Sequence, residues 1–179
     1  MRAVVVDRWM EPKDLAVRDV PEPSPRANQV VIDVEAAGCN FFDILLVQGK
    51  YQMKPPFPFT PGAEVAGVVR ELGPGASGVA VGDRVFAGLV LGAFAERVAV
   101  PVSALHPMPA SMSFPEAAAF PVVYPTSYAA LVLRANLRAG ETLLVHAAAG
   151  GVGVAAVQIG RALGARGWCT RPGHRERPG

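Results

Sequence analysis

Residues 146–158 read HAAAGGVGVAAVQ, a glycine-rich turn set between two apolar runs. The run before it, ETLLVHAA, reads as a buried strand, and the run after it, VAAVQIGRALGA, as an apolar helix. Strand, glycine turn and helix in that order open a βαβ unit, the tightest constraint on what this chain can fold into. A helix N-terminus exposes unpaired N–H groups and the positive end of the helix dipole, so it attracts a phosphate. The turn departs from the G-x-G-x-x-G pattern: Ala148 stands at the first glycine position, while Gly150, Gly151 and Gly153 remain, with Val152 between them. Glycines also permit close packing of a helix on a strand, so the turn by itself leaves both readings open.

Up to about residue 105 the signals are those of strands. RAVVVDRW, DLAVRDV, QVVIDVEAAG, AEVAGVVREL and AFAERVAV are short and Val-rich, separated by PEPSPRAN, PPFPFTPG, GPGASG and VGD. With 19 glycines and 17 prolines in 179 residues, this spacing predicts a barrel-like β unit rather than a helical bundle. One helix interrupts it, NFFDILLVQG, with Asn40 at its start and Gly49 at its end. Beyond it the period changes. Ser113 and Glu116 have capping-box spacing, predicting a helix from Ser113, and PTSYAALVLRANLRAG reads as a second helix ended by Gly140. A crossover helix must return to the sheet, so a strand is due after Ala165. The tail GARGWCTRPGHRERPG, rich in Arg, Pro and Gly, is not expected to supply a buried one.

Composition narrows the function classes. The net charge is only +2, and no stretch interleaves Lys/Arg with aromatics, which argues against a nucleic-acid surface. No run of about 18 apolar residues predicts a membrane span, and MRAVVVDRW lacks the features of a signal peptide. Two cysteines, Cys39 and Cys169, are too few for a disulfide framework, which predicts a reducing, cytoplasmic setting.

AAGCNFFDILLVQGKY, PFTPGAEVAGVV, GVAVGDRV and HAAAGGVGVAAVQIGRALGA follow one another in that order. Together they resemble the zinc-free quinone oxidoreductases, the zeta-crystallin-like branch of the medium-chain dehydrogenase/reductase superfamily, over residues 1 to about 166. The resemblance implies a mixed α/β chain. Residues 1–112 would form a chaperonin-10-like (GroES-like) β-barrel catalytic domain. Residues 113–166 would form the first strand and helix of a Rossmann domain for NADPH, and 167–179 an aberrant tail. It implies hydride transfer from NADPH to a small-molecule quinone or activated enone, and a homo-oligomer, a dimer in the full-length family. It places Asn40, Tyr51 and Thr126 near the nicotinamide-ribose and the substrate. Asn40, Thr126, Ala148, Gly150, Gly151, Val152 and Gly153 would bind the cofactor. Asn40 also reads as a helix cap, Tyr51 as an aromatic wall and Thr126 as a helix-start hydroxyl. Asp43 reads as structural and Glu64 as stabilising an interior turn of the barrel. Where the family often has Arg, this chain has Val47.

No metal site is expected. A catalytic zinc takes about three protein ligands, usually Cys and His. Zinc-dependent relatives of the resembled family carry Cys and His where this chain has Asn40 and Ala63, and Cys39 is one residue off register. His106, in an HPMP turn, and His146, ending the strand, read as structural. Without a metal a carbonyl is polarised only by hydrogen bonds, which suits an acceptor that is already electrophilic.

Family members are roughly twice this length. Read from the third base of the Gly167 codon, the tail can encode VVHPAGSPGKAG, which resembles the family's second strand and Ser/Lys phosphate turn. A frameshift near Gly167, truncating the chain and leaving it with negligible activity, is therefore expected; an authentic short product or an artificial end is the alternative. Two non-enzymatic alternatives stand beside this: a barrel used as a binding module, and a crystallin-like structural protein with residual cofactor binding. The first leaves residues 113–166 without a purpose.

Overall fold

The valine-rich segments of the N-terminal half form an antiparallel sheet, in a computed structural model that describes residues 1–170. The strands are β1 (Arg2–Val5), β2 (Ala16–Asp19), β3 (Gln29–Ala37), β4 (Glu64–Leu72), β5 (Arg84–Gly88), β6 (Arg97–Pro101) and β7 (Leu105–Pro107). Five of them pair in the order β6-β3-β4-β5-β7, and β1-β2 form a separate ribbon. Single bridges tie that ribbon's segment onward, Ala3 to Ala95 and Val6 to Phe59. The core consists of Val30, Ile32, Val65, Val69, Val85, Val98 and Val100, all buried. Strict alternation fails in β3, where Val30, Val31 and Ile32 are all buried, because a register shift against β4 falls between Val31 and Ile32.

The helix α1 (Phe41–Val47) sits between β3 and β4, as its apolar run and terminal residues predict. The helix α2 (Phe114–Ala118) starts at the expected Ser113, whose backbone N–H and hydroxyl both reach Glu116. It covers the second face of β4, burying Ala66 against Ala117 and Ala118. Two strands are illegible in the sequence. β5 begins immediately after the VGD turn, and β7 occupies the stretch expected to be a turn at His106. His106 instead pairs with Phe86 across the strands and stacks on its ring at 5.2 Å.

The chain divides into two compact units, Met1–Pro121 and Val122–Gly179, later in the sequence than the change of period at Ser113. In the second unit α3 (Val123–Tyr128) runs into a π-helical stretch, Ala129–Arg134. The helix expected to reach Gly140 ends early, because Asn136 adopts a left-handed conformation (φ 53°) that stops the ladder. Then come β8 (Thr142–His146), α4 (Gly151–Ala162) and β9 (Arg166–Thr170).

One expectation about this unit is corrected. The apolar run predicts a buried β8, but Val145 is its only buried residue and Leu144 is 55% exposed. Among the described residues it pairs with β9 alone, and a parallel strand needs neighbours and helices on both sides to bury it. A strand does follow Ala165, as a crossover helix requires: residues 166–170 pair in parallel with β8, from Thr142–Arg166 to His146–Thr170, with Arg166 and Gly167 exposed. Backbone groups make that pairing, so side-chain composition did not prevent it. Gly164 (φ 79°) turns the chain out of α4, and the Arg166 N–H donates to Glu141 O at 2.8 Å. Of the tail on which the frameshift reading rests, 167–179, residues 171–179 lie outside the described residues. Among the described residues no helix is long and apolar enough to cross a membrane.

Candidate functional site

In the first unit the candidate residues gather at the start of α1. Asn40 is its N-cap residue, with extended backbone (φ −121°, ψ 156°). The Asp43 carboxyl accepts the Asn40 backbone N–H at 2.8 Å, closing the entry to the helix. The Asn40 side chain also reaches beyond the helix: its Nδ2 donates to Glu64 Oε1 at 2.7 Å. Glu64, read from the sequence as bracing an interior turn, is 2% exposed at the head of β4 and takes this amide.

Cys39, Asn40, Phe41, Asp43, Ile44 and Phe94 contribute to an apolar cavity of about 390 Å³. The Cys39 thiol on its wall is pushed up from its ordinary pKa by burial, with the Asp43 and Glu64 carboxyls adding to the shift. Tyr51 stands beyond the far end of α1. Its backbone N–H donates to Leu45 O at 3.1 Å, and its ring lies 5.6 Å from that of Phe42. The turn delivering it depends on Gly49, with φ 68° and no room for a Cβ, which would meet the Trp9 ring at 2.6 Å. A larger cleft of about 450 Å³ lies along β5 and β7 but contains none of the candidate residues. The Arg84 guanidinium there is already committed to the Ala110 and Met112 carbonyls and lies 4.8 Å from the Phe114 ring centroid.

Asp43 has a measurable consequence. It is buried, and its Oδ1 has no full hydrogen bond. Burial pushes its carboxyl up, opposed by the backbone N–H groups of Asn40 and Gly62. A raised folded-state pKa means that the unfolded chain loses this proton first as pH rises. Stability from Asp43 is thus fully present below the ordinary carboxylate value, about 3.9, and is lost as pH rises through the raised one. Asp43→Asn cannot titrate. Denaturant midpoints of both proteins between pH 3 and 7 should show the wild type losing stability relative to the variant as pH rises. The opposite slope would refute the assignment.

In the second unit the glycine turn has the expected form. Gly150 is the N-cap of α4, and the Val154 N–H donates to Gly150 O at 2.8 Å, leaving the N–H groups of Gly151, Val152 and Gly153 ahead of the first rung. The glycines separate by function. A Cβ on Gly153 would come within 2.5 Å of Ala147 O and 2.7 Å of Ala148 Cα, so Gly153 is required for packing. A Cβ on Gly151 would meet only a Val123 methyl, at 3.0 Å, and one on Gly150 would find ordinary contact with Ala147 O at 3.4 Å. Packing explains Gly153; it does not explain Gly150. Thr126 is in the same unit, its hydroxyl donating to Val122 O at 2.6 Å within its own helix. Its neighbour Ser127, unremarked in the sequence, is fully buried and donates to Val152 O at 2.8 Å, pinning the N-terminus of α4 to α3. No sequence signal marks it, because the contact joins positions 25 apart. Among the described residues no group of three His, Cys, Asp or Glu is placed to hold a metal ion.

Residues 26–110 match the alcohol dehydrogenase GroES-like domain. Over 166 residues the chain is 42% identical to human quinone oxidoreductase, covering 92% of this chain and 50% of that protein. This chain carries an alcohol dehydrogenase GroES-like domain and is similar to the quinone oxidoreductases. The quinone oxidoreductase of Thermus thermophilus, solved also as a complex with NADPH, superposes with a TM-score of 0.82 at 45% identity, covering 96% of this chain and 54% of that one. Human synaptic vesicle membrane protein VAT-1 homolog-like superposes with a TM-score of 0.89 at 39% identity, covering 94% and 54%. The chain spans about half the length of the curated quinone oxidoreductases it matches. The GroES-like match runs from just before β3 to just after β7, so Asn40, Tyr51 and Glu64 all fall inside it.

Proposed function

We propose that the protein is a metal-free reductase that transfers a hydride from NADPH to a quinone or activated enone. The observation that carries this reading is the cavity beside Asn40, whose walls are apolar except at the Cys39–Asn40–Asp43 edge, a setting suited to a flat, electrophilic ring. The glycine turn fits the cofactor: three N–H groups precede the first rung of the 12-residue α4, and Gly150 leaves space that packing does not need. NADPH would supply the hydride chemistry. Gly150, Gly151, Val152 and Gly153, with Ala148 beside them, would hold the pyrophosphate on backbone N–H groups. Ser127 keeps that helix end in place. The Asn40 amide and the Thr126 hydroxyl would contact the nicotinamide-ribose, and Tyr51 would bound the substrate. The similarity to the Thermus thermophilus enzyme, whose complex holds NADPH, supports the choice of cofactor.

The test is isotopic. With NADPH deuterated at the transferring position and an enone acceptor, the deuterium should be retained on the β-carbon of the product. Asn40→Ala should slow that transfer by about tenfold or more, the scale of one lost polar contact to the reacting partners. No NADPH oxidation with any quinone or enone tried, by this chain extended to the full length of its relatives and well folded, would refute the function and favour a binding or structural role.

A further inference from the structure

We infer that Glu64 is a positioning residue that fixes the orientation of the Asn40 amide toward the cofactor, and that Gly38 is a glycine in order to let it do so. The inference rests on the reading of Asn40 as a cofactor-facing side chain. The Asn40 Nδ2 donates to Glu64 Oε1 at 2.7 Å across 24 positions of sequence. Glu64 is 2% exposed, so its side chain has no solvent into which to swing. Its backbone is held by the Gly38 N–H, which donates to Glu64 O at 3.2 Å, and by the pairing with Gly88 on β5. Gly38 has no positive φ, so turn geometry does not explain it. Space does. A Cβ there would fall 2.1 Å from Glu64 Oε1, 2.6 Å from Cδ and 2.7 Å from Cγ. The whole end of the Glu64 side chain lies over the bare Cα of Gly38, and a methyl group would displace it from Asn40.

An asparagine amide rotates freely about its last torsion unless a partner chooses one orientation. On a partly buried wall, the partner therefore decides whether a ligand meets an oxygen or an N–H. Glu64 makes that choice by taking one Nδ2 proton, and Asp43, bonded to the Asn40 backbone N–H, fixes the main chain beneath it.

The experiment follows the Asn40 side-chain amide by nuclear magnetic resonance in isotopically labelled protein, with NADPH as the probe. The Asn40 Nδ2 proton should exchange roughly tenfold more slowly than that of the exposed Asn136, as one hydrogen bond predicts. Protection should persist in Glu64→Gln, which keeps an acceptor oxygen, and be lost in Glu64→Leu and Gly38→Ala. NADPH should shift the Asn40 resonance in the wild type and Glu64→Gln, and much less in the other two. Should Glu64→Leu fail to fold, Gly38→Ala carries the test, because it changes neither member of the contact. An unprotected Asn40, protection indifferent to Gly38→Ala, or an equal NADPH response in all variants would overturn the inference. The expected protection pattern without any NADPH response would instead overturn the cofactor reading, and the positioning role with it.

Discussion

Replacing Gly67 with valine is expected to remove a large share of the first unit's stability. Gly67 lies in the middle of β4, paired with Val34 of β3 on one side and Val85 of β5 on the other. A Cβ at this position would fall 2.0 Å from the Asp33 carbonyl oxygen and 2.7 Å from the Ile32 side chain. The first obstacle is main chain in the adjoining strand, and Ile32 is itself fully buried, so neither can give way without parting β3 from β4. Overpacking a tight core costs about 1–3 kcal/mol even where side chains can shift. Here backbone must move and valine adds two methyl groups, so the cost should reach a large share of a domain's total stability of about 5–15 kcal/mol. Circular dichroism and the urea midpoint would measure it. Gly78→Ala is the control. Its φ of 78° is unfavourable for alanine, but nothing lies within 4 Å of the new Cβ, so the loss should stay near about 1 kcal/mol. A Gly67→Val protein melting within a few degrees of the wild type would show that the β3–β4 pairing is not as close as described.

The second large effect separates stability from function. Gly150→Asp should leave the fold intact or slightly more stable while reducing NADPH affinity by on the order of a hundredfold. Gly150 is the N-cap of α4, with φ −81° and ψ 162°, a conformation aspartate adopts without strain. Its added Cβ would meet nothing closer than Ala147 O at 3.4 Å. Aspartate is among the best N-cap residues, and its charge complements the helix dipole by roughly 0.3–1 kcal/mol. The same charge would face the pyrophosphate. One like-charge pair about 5 Å apart at an effective dielectric near 20 costs about 3 kcal/mol. Thermal melting and NADPH titration on the same preparation would read the two effects. Unchanged affinity would remove the pyrophosphate from this turn, whereas a collapse in stability would mean that Gly150 serves packing after all. Gly153→Ala should behave oppositely, losing stability first, because its Cβ would strike the Ala147 and Ala148 backbone.

Local patterns were legible in the sequence because their causes are local. Valine-rich runs between turn residues marked β1, β2, β3, β4 and β6, and the Ser113–Glu116 spacing marked the start of α2. The apolar run, glycine turn and second apolar run marked β8 and α4. Quinone-oxidoreductase motifs in the right order were legible too, and the similarity to solved relatives bears that out. What sequence could not supply was anything set by partners far along the chain. β5 and β7 are short and carry turn-forming residues, so they become strands only by pairing, β5 with β4 and β7 with β5. β9 looks unfit as a buried strand by composition, yet parallel pairing uses backbone groups, which composition does not remove. Asn40 reads in the sequence as a cap, a cofactor contact or both. Tertiary structure puts its backbone in the cap and its amide on Glu64, 24 residues away. The glycines show the division most plainly. Sequence counts them alike, but Gly67 and Gly153 face backbone, Gly38 faces the end of a buried carboxyl, and Gly150 has ordinary van der Waals room. Only the packed chain, by bringing distant atoms within van der Waals contact, decides which of them the fold needs and which could take a side chain.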